Sequence, residues 1–465
     1  MGNIYEPLIW KNPAGSPDEF SPAIAESWSA SADGKTWTFN IRQGATFHDG
    51  EPVNAAAVKA SIEAAMERAA ASFIWAPVQS LETPDEHTVV IHLKNAAPLD
   101  LVAASTYGAW IVSPKALEAS KADEKYFEAG KDAGTGPYTI DSYAPGSKVV
   151  LKKFDKHWNK EAPVHYDIVD VAITPDSVTA QQMLVAKEVD YATNVPLENV
   201  NTIKEQGFTV NESKSPFNFL AMFNTTRAPL NDPKVRQALS YAIPYEEIID
   251  VGGQGYGSQA HGPVPDGIYP FDESVPQYTQ DLAKAKQLLA EAGHGDGLHL
   301  KLTYSSENPA EVRFVPLIKD AFARIGVDLE VKSELFNQQW KNAKSDPASA
   351  QDIFVLYYWP TYSDAGSDNM VSLFRSSEKP SFNLSYWKNA EYDLLVDEAV
   401  TLAGADRQGA QRLYSQALNM LHDQAPAAFL YDAKAISVVP EGLQAAPFNE
   451  NYPFTVFFAG MKPRS

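Results

Sequence analysis

The chain contains no cysteine, which removes disulfides, thiolate metal sites and thiol nucleophiles together and leaves the redox compartment unread. No apolar run approaches the ~18 residues that a bilayer-spanning helix needs. Basic residues are scarce: 38 Lys and Arg stand against 59 Asp and Glu, a formal net charge of −21. Without a polybasic block, this field argues against nucleic acid and anionic membranes as partners, because both are polyanions. Met1-Gly2-Asn3 runs directly into Ile4-Tyr5-Glu6-Pro7-Leu8 with neither a charged nor an apolar leader region, so no export signal is read here. Internal repeats and low-complexity tracts are absent as well.

Signature motifs of enzymes are missing too. There is no G-x-S-x-G elbow, no H-E-x-x-H and no G-x-x-x-x-G-K-[ST] loop. Gly252 to Gly257 is glycine-rich but lacks the G-x-G-x-x-G spacing and reads as a loop. His294, Asp296 and His299 are explained by a Gly-rich turn before a strand rather than by a metal. Carboxylate pairs for glycoside hydrolysis stay open, since 59 acidic residues offer chance pairs.

What the chain does have is length and rings. Its 465 residues exceed a single ordinary core and suggest two or three lobes. A hydrophobic content of 44%, with 9 Trp, 21 Tyr and 22 Phe, suffices for burial and for rings that face a ligand. The most informative run is Ala25 to Val53. Trp37, Phe39 and Ile41 alternate with Thr36, Thr38 and Asn40, the pattern of a half-buried strand. Asp33-Gly34 precedes that strand and Asp49-Gly50 follows a second short strand through Phe47, which predicts a β-hairpin.

Beyond it helices and strands alternate, as in α/β lobes. Asn54 caps a helix with Val58, Ile62, Met66 and Ala69 on one face. Strands are predicted at His87 to Leu93, Val149 to Phe154 and Phe217 to Phe223, and Pro233 opens a helix after Asp232. Asp281 caps a helix that Gly293 ends. Strands at Leu298 to Tyr304 and Val327 to Val331 flank a helix through Leu317, Ala321 and Ile325, a β-α-β unit. Asp352 to Trp359 is a nearly unbroken apolar run, suited to a central strand. Two helices follow, through Tyr392 to Leu402 and through Leu413, Ala417 and Leu421.

Five stretches carry a family likeness: AESW…DGKTWTFNIRQGATFHDG, GTGPY at Gly134 to Tyr138, LNDPKVRQALSYAI at Leu230 to Ile243, DLAKAKQLLAEAG at Asp281 to Gly293, and NLSYWKNAEYDLLVDEA at Asn383 to Ala399. In this order they resemble the family 5 extracytoplasmic solute-binding proteins that feed ABC importers of peptides and nickel chelates. The resemblance implies an α/β, two-lobed periplasmic-binding-protein fold, type II and cluster-C-like. A larger lobe would comprise 1–223 plus 438–465, with a β-rich subdomain inserted at about 25–150, and a second lobe 224–437. The chain would cross near Phe223 to Leu230 and return near Ser437 to Gly442. Family members carry a signal, a strand and a helix before their Y-E-P-L element, so this sequence either begins late or departs from the family there. The resemblance further implies a monomeric, periplasmic or lipid-anchored protein without cofactor, metal or catalytic residue, whose partners are a small solute and a membrane permease.

Ligands of open α/β sheets collect beyond the carboxyl ends of strands. Pro360 stops the Asp352 to Trp359 strand, so Tyr358, Trp359, Tyr362 and Asp364 are candidate ligand residues. In the family's peptide binders an aspartate three residues after the tryptophan holds the α-ammonium. This sequence has Tyr362 there, and Asp364 either replaces that aspartate or caps the following turn. From the opposite lobe the resemblance implies Phe73, Trp75, Tyr107 and Trp110. Arg227, Arg375 and His261 complete the candidates, the arginines through a bidentate fork to a ligand carboxylate or through an ordinary salt bridge. The arginines and histidine that the family's nickel binders place around these segments are missing from Ser72, Ser105 to Trp110 and Ser376 to Ser381, which weakens a nickel reading. An oligosaccharide is the main rival to a peptide, because Trp75, Trp110 and Trp359 could stack on sugar rings.

Overall fold

A computed structural model describes residues 1–67, 72–161, 164–174 and 176–464; Ala69, counted above on a helix face, lies outside them. The alternation around Trp37 becomes the strand Thr36–Ile41, which buries Trp37, Phe39 and Ile41. It pairs antiparallel with Ala25–Ala30 on one side and Thr88–Leu93 on the other, and Val78–Asp85 completes four strands. Phe39 stands opposite Val89 and Trp37 opposite Ile91. The helix Ala55–Glu67 begins where the Asn54 side chain accepts from the Ala57 N–H at 2.9 Å. It lays Val58 and Ile62 into the same core, each such side chain worth roughly 1.5–3 kcal/mol when fully buried.

The hairpin partner of Thr36–Ile41 differs from expectation. It precedes the Asp33-Gly34 turn, whereas Phe47 sits in a tight loop closed by a Thr46–Pro52 bridge and a bond from Phe47 N–H to the Glu51 carbonyl. Ala25–Ala30 escaped sequence reading because it is an edge strand, mostly exposed on both faces.

The second lobe is built on a six-stranded mixed sheet ordered Gly257–Gln259, Ala427–Pro440, Phe208–Phe223, Ile353–Tyr358, Leu298–Ser305 and Val327–Glu334. Phe219, Ala221 and Phe223 point to one face, among the helices Pro233–Ala242, Leu282–Glu291 and Pro309–Ala323. Leu220 and Met222 point to the other, toward Ala390–Leu402 and Arg407–Gln424. Period-two alternation thus serves two cores at once, giving three layers. Ile353–Tyr358 pairs with strands on both sides, which accounts for its unbroken apolar run.

Two strands are unusually long. Phe208–Phe223 and Ala427–Pro440 pair antiparallel from Phe208 opposite Pro440 to Met222 opposite Ala427, with the register shifting between Lys214 and Asn218. On one side of the shift Val210, Ile436 and Val438 pack with Leu184, Val200 and Ile203. On the other, Phe219–Phe223 pack in the core that extends to Tyr431. By packing, Phe219–Phe223 join the core of the six-stranded sheet and Ile436 joins the cluster of Leu184, Val200 and Ile203. The strands continue through the division instead of ending at it.

The last stretch of chain returns to the N-terminus. The Tyr452 hydroxyl donates to the Ala104 carbonyl at 2.7 Å, and the Asn3 side chain bonds both Val456 and Phe458. The lobes also meet away from these strands. Arg407 Nη2 donates to both Asp100 oxygens, at 2.7 and 2.9 Å, and Nη1 reaches Glu19 at 3.0 Å. Beside this group Gly404 lies so close to Ala97 that a β-carbon on it would stand 2.4 Å from the Ala97 nitrogen.

Candidate ligand cleft

Register places an aromatic row across three strands. Phe219 is directly opposite Tyr357 on one side and Tyr431 on the other, with ring centroids 4.8 and 4.7 Å apart. Two residues along, Phe217 lies 5.4 Å from Tyr357 and 5.9 Å from Trp359. Phe454, from the returning C-terminal segment, closes on both Phe217 and Trp359. A second group, Phe336, Trp340, Phe382 and Tyr358, wraps the other face of the strand end.

Both groups border a cleft of about 1060 Å³ between the lobes. Its first-lobe wall includes Tyr107, Tyr191, Asn194, Phe448 and Phe457. That volume sits at the upper end of the roughly 300–1,000 Å³ typical of sites for small molecules, with room for a solute of several residues or sugar rings.

Among the described residues, five charged side chains line it: Glu198, Glu307, Glu311, Arg313 and Lys434. Arg313 is turned onto the protein, donating to the Val251 carbonyl at 3.1 Å and the Gly252 carbonyl at 2.7 Å. Lys434 lies 3.4 Å from Glu212. Glu307 accepts from the Phe336 N–H at 2.8 Å. Glu311, in the first turn of Pro309–Ala323, is buried, and one of its oxygens accepts from the Ser305 N–H at 2.7 Å. Burial pushes its carboxyl up to about 8, against the pull of that single bond.

Of the ligand residues expected from the sequence, Tyr107, Tyr358 and Trp359 border the cleft. Trp75 and Trp110 stand behind it. Trp75 is buried and donates to the Gly108 carbonyl at 2.9 Å, and the Trp110 indole donates to the Thr106 carbonyl at 3.0 Å. Together they fix the loop that presents Tyr107. Phe73 is half exposed and away from the cleft wall. Arg227 pairs with Asp352 at 2.7 Å and ties down three carbonyls of the 347–350 loop. Arg375 forks onto Asp397. The His261 Nδ1–H donates to the Val275 carbonyl at 2.7 Å.

Tyr362 and Asp364 are drawn inward instead of facing the cleft. Tyr362 packs against the first-lobe core and its hydroxyl bonds Ser367. Asp364 accepts from the N–H groups of Gly366 and Ser367 at 3.0 and 3.1 Å, capping the turn that follows. Desolvation raises it to about 6. These polar groups are consumed by loop and cap geometry, the commonest use of such residues. Sequence reading passed over Phe217, Phe219, Tyr357, Tyr431 and Glu311. The available signal was the i, i+2 spacing of Phe217 with Phe219 and of Tyr357 with Trp359, which puts each pair on one face. Among the described residues no three His, Asp or Glu groups cluster as a metal site would require.

Comparison with known proteins gives the same architecture. The family described as bacterial extracellular solute-binding proteins, family 5 middle, matches residues 19–381. The glutathione-binding protein GsiB of Salmonella typhimurium is 29% identical over 432 residues, covering 90% of this chain and 82% of that protein. The solved structure of HbpA2 from Haemophilus parasuis superposes with a TM-score of 0.85 at 24% identity, over 100% of this chain and 94% of that one. The periplasmic binding protein DppA of Helicobacter pylori, solved with the peptide STSA, gives 0.79 at 23% identity, over 100% and 93%. At these identities the structural likeness is one of fold.

Proposed function

The chain belongs to the bacterial extracellular solute-binding proteins of family 5, and on that premise we propose that it captures a short peptide or peptide-like solute between its lobes and passes it unaltered to a membrane permease of an ABC importer. It is an extracytoplasmic binding component, not an enzyme. The observation that carries the ligand reading is the cleft itself: about 1060 Å³, walled by rings from both lobes, with most of its five charged side chains engaged by the protein. Such a surface recognises an apolar body and leaves orientation to a small number of groups.

The paired strands Phe208–Phe223 and Ala427–Pro440 supply the hinge in this reading. Closure bends them at the register shift beside Lys214 and Asn218, and a solute touching both walls shifts the population toward the closed form. A monomer suffices in this reading, because one chain supplies rings to both walls of the cleft.

A thermal-shift screen tests this, with di- and tripeptides, cello-oligosaccharides, and nickel with histidine. A true ligand at 100 times its Kd adds about 2.7 kcal/mol of stability. Trp359→Ala is expected to abolish that gain while leaving the unliganded melting transition cooperative. Stabilisation that survives in Trp359→Ala would place binding elsewhere, and turnover of an ester or glycoside without stabilisation by any solute would overturn the reading.

A further inference from the structure

Among the described residues that line the cleft, Glu311 is the one buried acidic group. Its Oε2 is held by the Ser305 N–H, while Oε1 has no hydrogen-bond partner among the described residues, and the side chain lines the cleft although the residue is only 2% exposed. The next turn of its helix carries Phe314, whose ring meets Phe219 and Tyr431 edge-on at 5.8 and 6.4 Å. The carboxyl thus belongs to the helix that packs against the row, held at Ser305 on the strand next to that of Tyr357.

The engagement of the cleft's cations points the same way. Three glutamates line it against Arg313 and Lys434, and Arg313 spends its Nε and Nη2 donors on backbone carbonyls. With Glu311 protonated, Glu198 and Glu307 only balance Arg313 and Lys434, but an anionic head would still meet few free cationic donors. A cationic head finds a desolvated acceptor, where a charge-assisted bond is strongest.

We propose that Glu311 Oε1 receives the ammonium or guanidinium of a solute whose aromatic or apolar body lies along Tyr431, Phe219 and Tyr357. This rests on the solute-binding reading above and narrows it to cationic, ring-bearing ligands. Burial keeps the empty site's carboxyl protonated at neutral pH. As the ammonium form docks, the proton leaves the carboxyl for solvent and the carboxylate remains as the ion's partner, so binding releases up to one proton, less what a partly neutral amine takes up.

The test uses two probes with one body: Phe-Phe amide, which carries an α-ammonium and no carboxylate, and its N-acetyl form, which is neutral. Calorimetric titration at pH 7 in phosphate and in Tris is expected to show the free amine binding about tenfold or more tightly. Its apparent enthalpy is expected to differ between the buffers as release of a proton requires. In Glu311→Gln, whose amide oxygen still accepts from Ser305, the preference and the buffer dependence both vanish. Glu311→Asp is expected to restore part of the preference. A residue that merely caps its helix would leave the preference untouched, and that outcome overturns the proposal. Equal binding of both probes by the natural protein overturns it too, while the solute-binding reading stands. If neither probe nor any solute of the thermal-shift screen binds, both fall.

Discussion

Asp432 is a carboxyl half supplied with partners. Oδ2 accepts from the Asp266 N–H at 3.1 Å, Oδ1 has none, and the facing Asn218 Oδ1 across the ladder is unpartnered as well. Burial raises Asp432 to about 8, with the negative charge of Asp266 adding to the shift. Between the unfolded value near 4 and the folded value, the native state holds more protons than the unfolded one, so stability falls as pH climbs through that window and is level above it. Asp432→Asn is expected to gain melting temperature relative to the natural protein at pH 8.5 and to lose that advantage at pH 4.5. A difference between the two proteins that does not change with pH would contradict the assignment. At this scale sequence reading found residue types but not their employment. Trp75 and Asp364 looked like ligand groups because a ring or a carboxylate near a loop is chemically suited to either task. Only the bonds to Gly108, Gly366 and Ser367 show that the loop itself uses them.

At the scale of elements, most helices and strands were legible, because caps and periodicity are local signals. Asn54, Asp232 and Asp281 each accept from a backbone N–H of the first turn, at 2.8 or 2.9 Å. The aromatic row was not legible, since Phe219, Tyr357 and Tyr431 come from three strands and only pairing register aligns them. The contact between Leu99–Ala103 and Arg407–Gln424 was equally hidden. Asp100 is buried there, and desolvation holds its carboxyl above the usual range even beside Arg407. Arg407→Met would leave that group without its cationic partner, and removing one member of a buried pair typically costs about 3–5 kcal/mol. Urea unfolding is expected to show a loss of this size, with Asp100→Asn in the same chain recovering part of it. A single variant as stable as the natural protein would mean that the pair holds nothing.

For the whole molecule, the order of five motifs conveyed the two-lobed plan, while the continuous strands that run from one packing cluster into the next were not foreseen. No turn signal marks the passage, because Phe208–Phe223 and Ala427–Pro440 keep strand character across it. If the ladder bends at the shift between Lys214 and Asn218, the small-angle scattering profile should contract with any solute that raises the melting temperature. The contraction should be absent when Trp359→Ala is given the same solute. Contraction without stabilisation, or the reverse, would separate closure from binding.

The division by a pleated ribbon, in place of two slack tethers, has a mechanical outcome. Backbone pairs lie on both sides of the shift; provided they hold as the lobes close, closing would wind the ribbon and load it like a torsion bar. The recoil opposes capture slightly and hastens unloading once the cargo is drawn away. A protease added to the native protein would also find no loose strap to cut between the halves, and nicking should begin in peripheral loops.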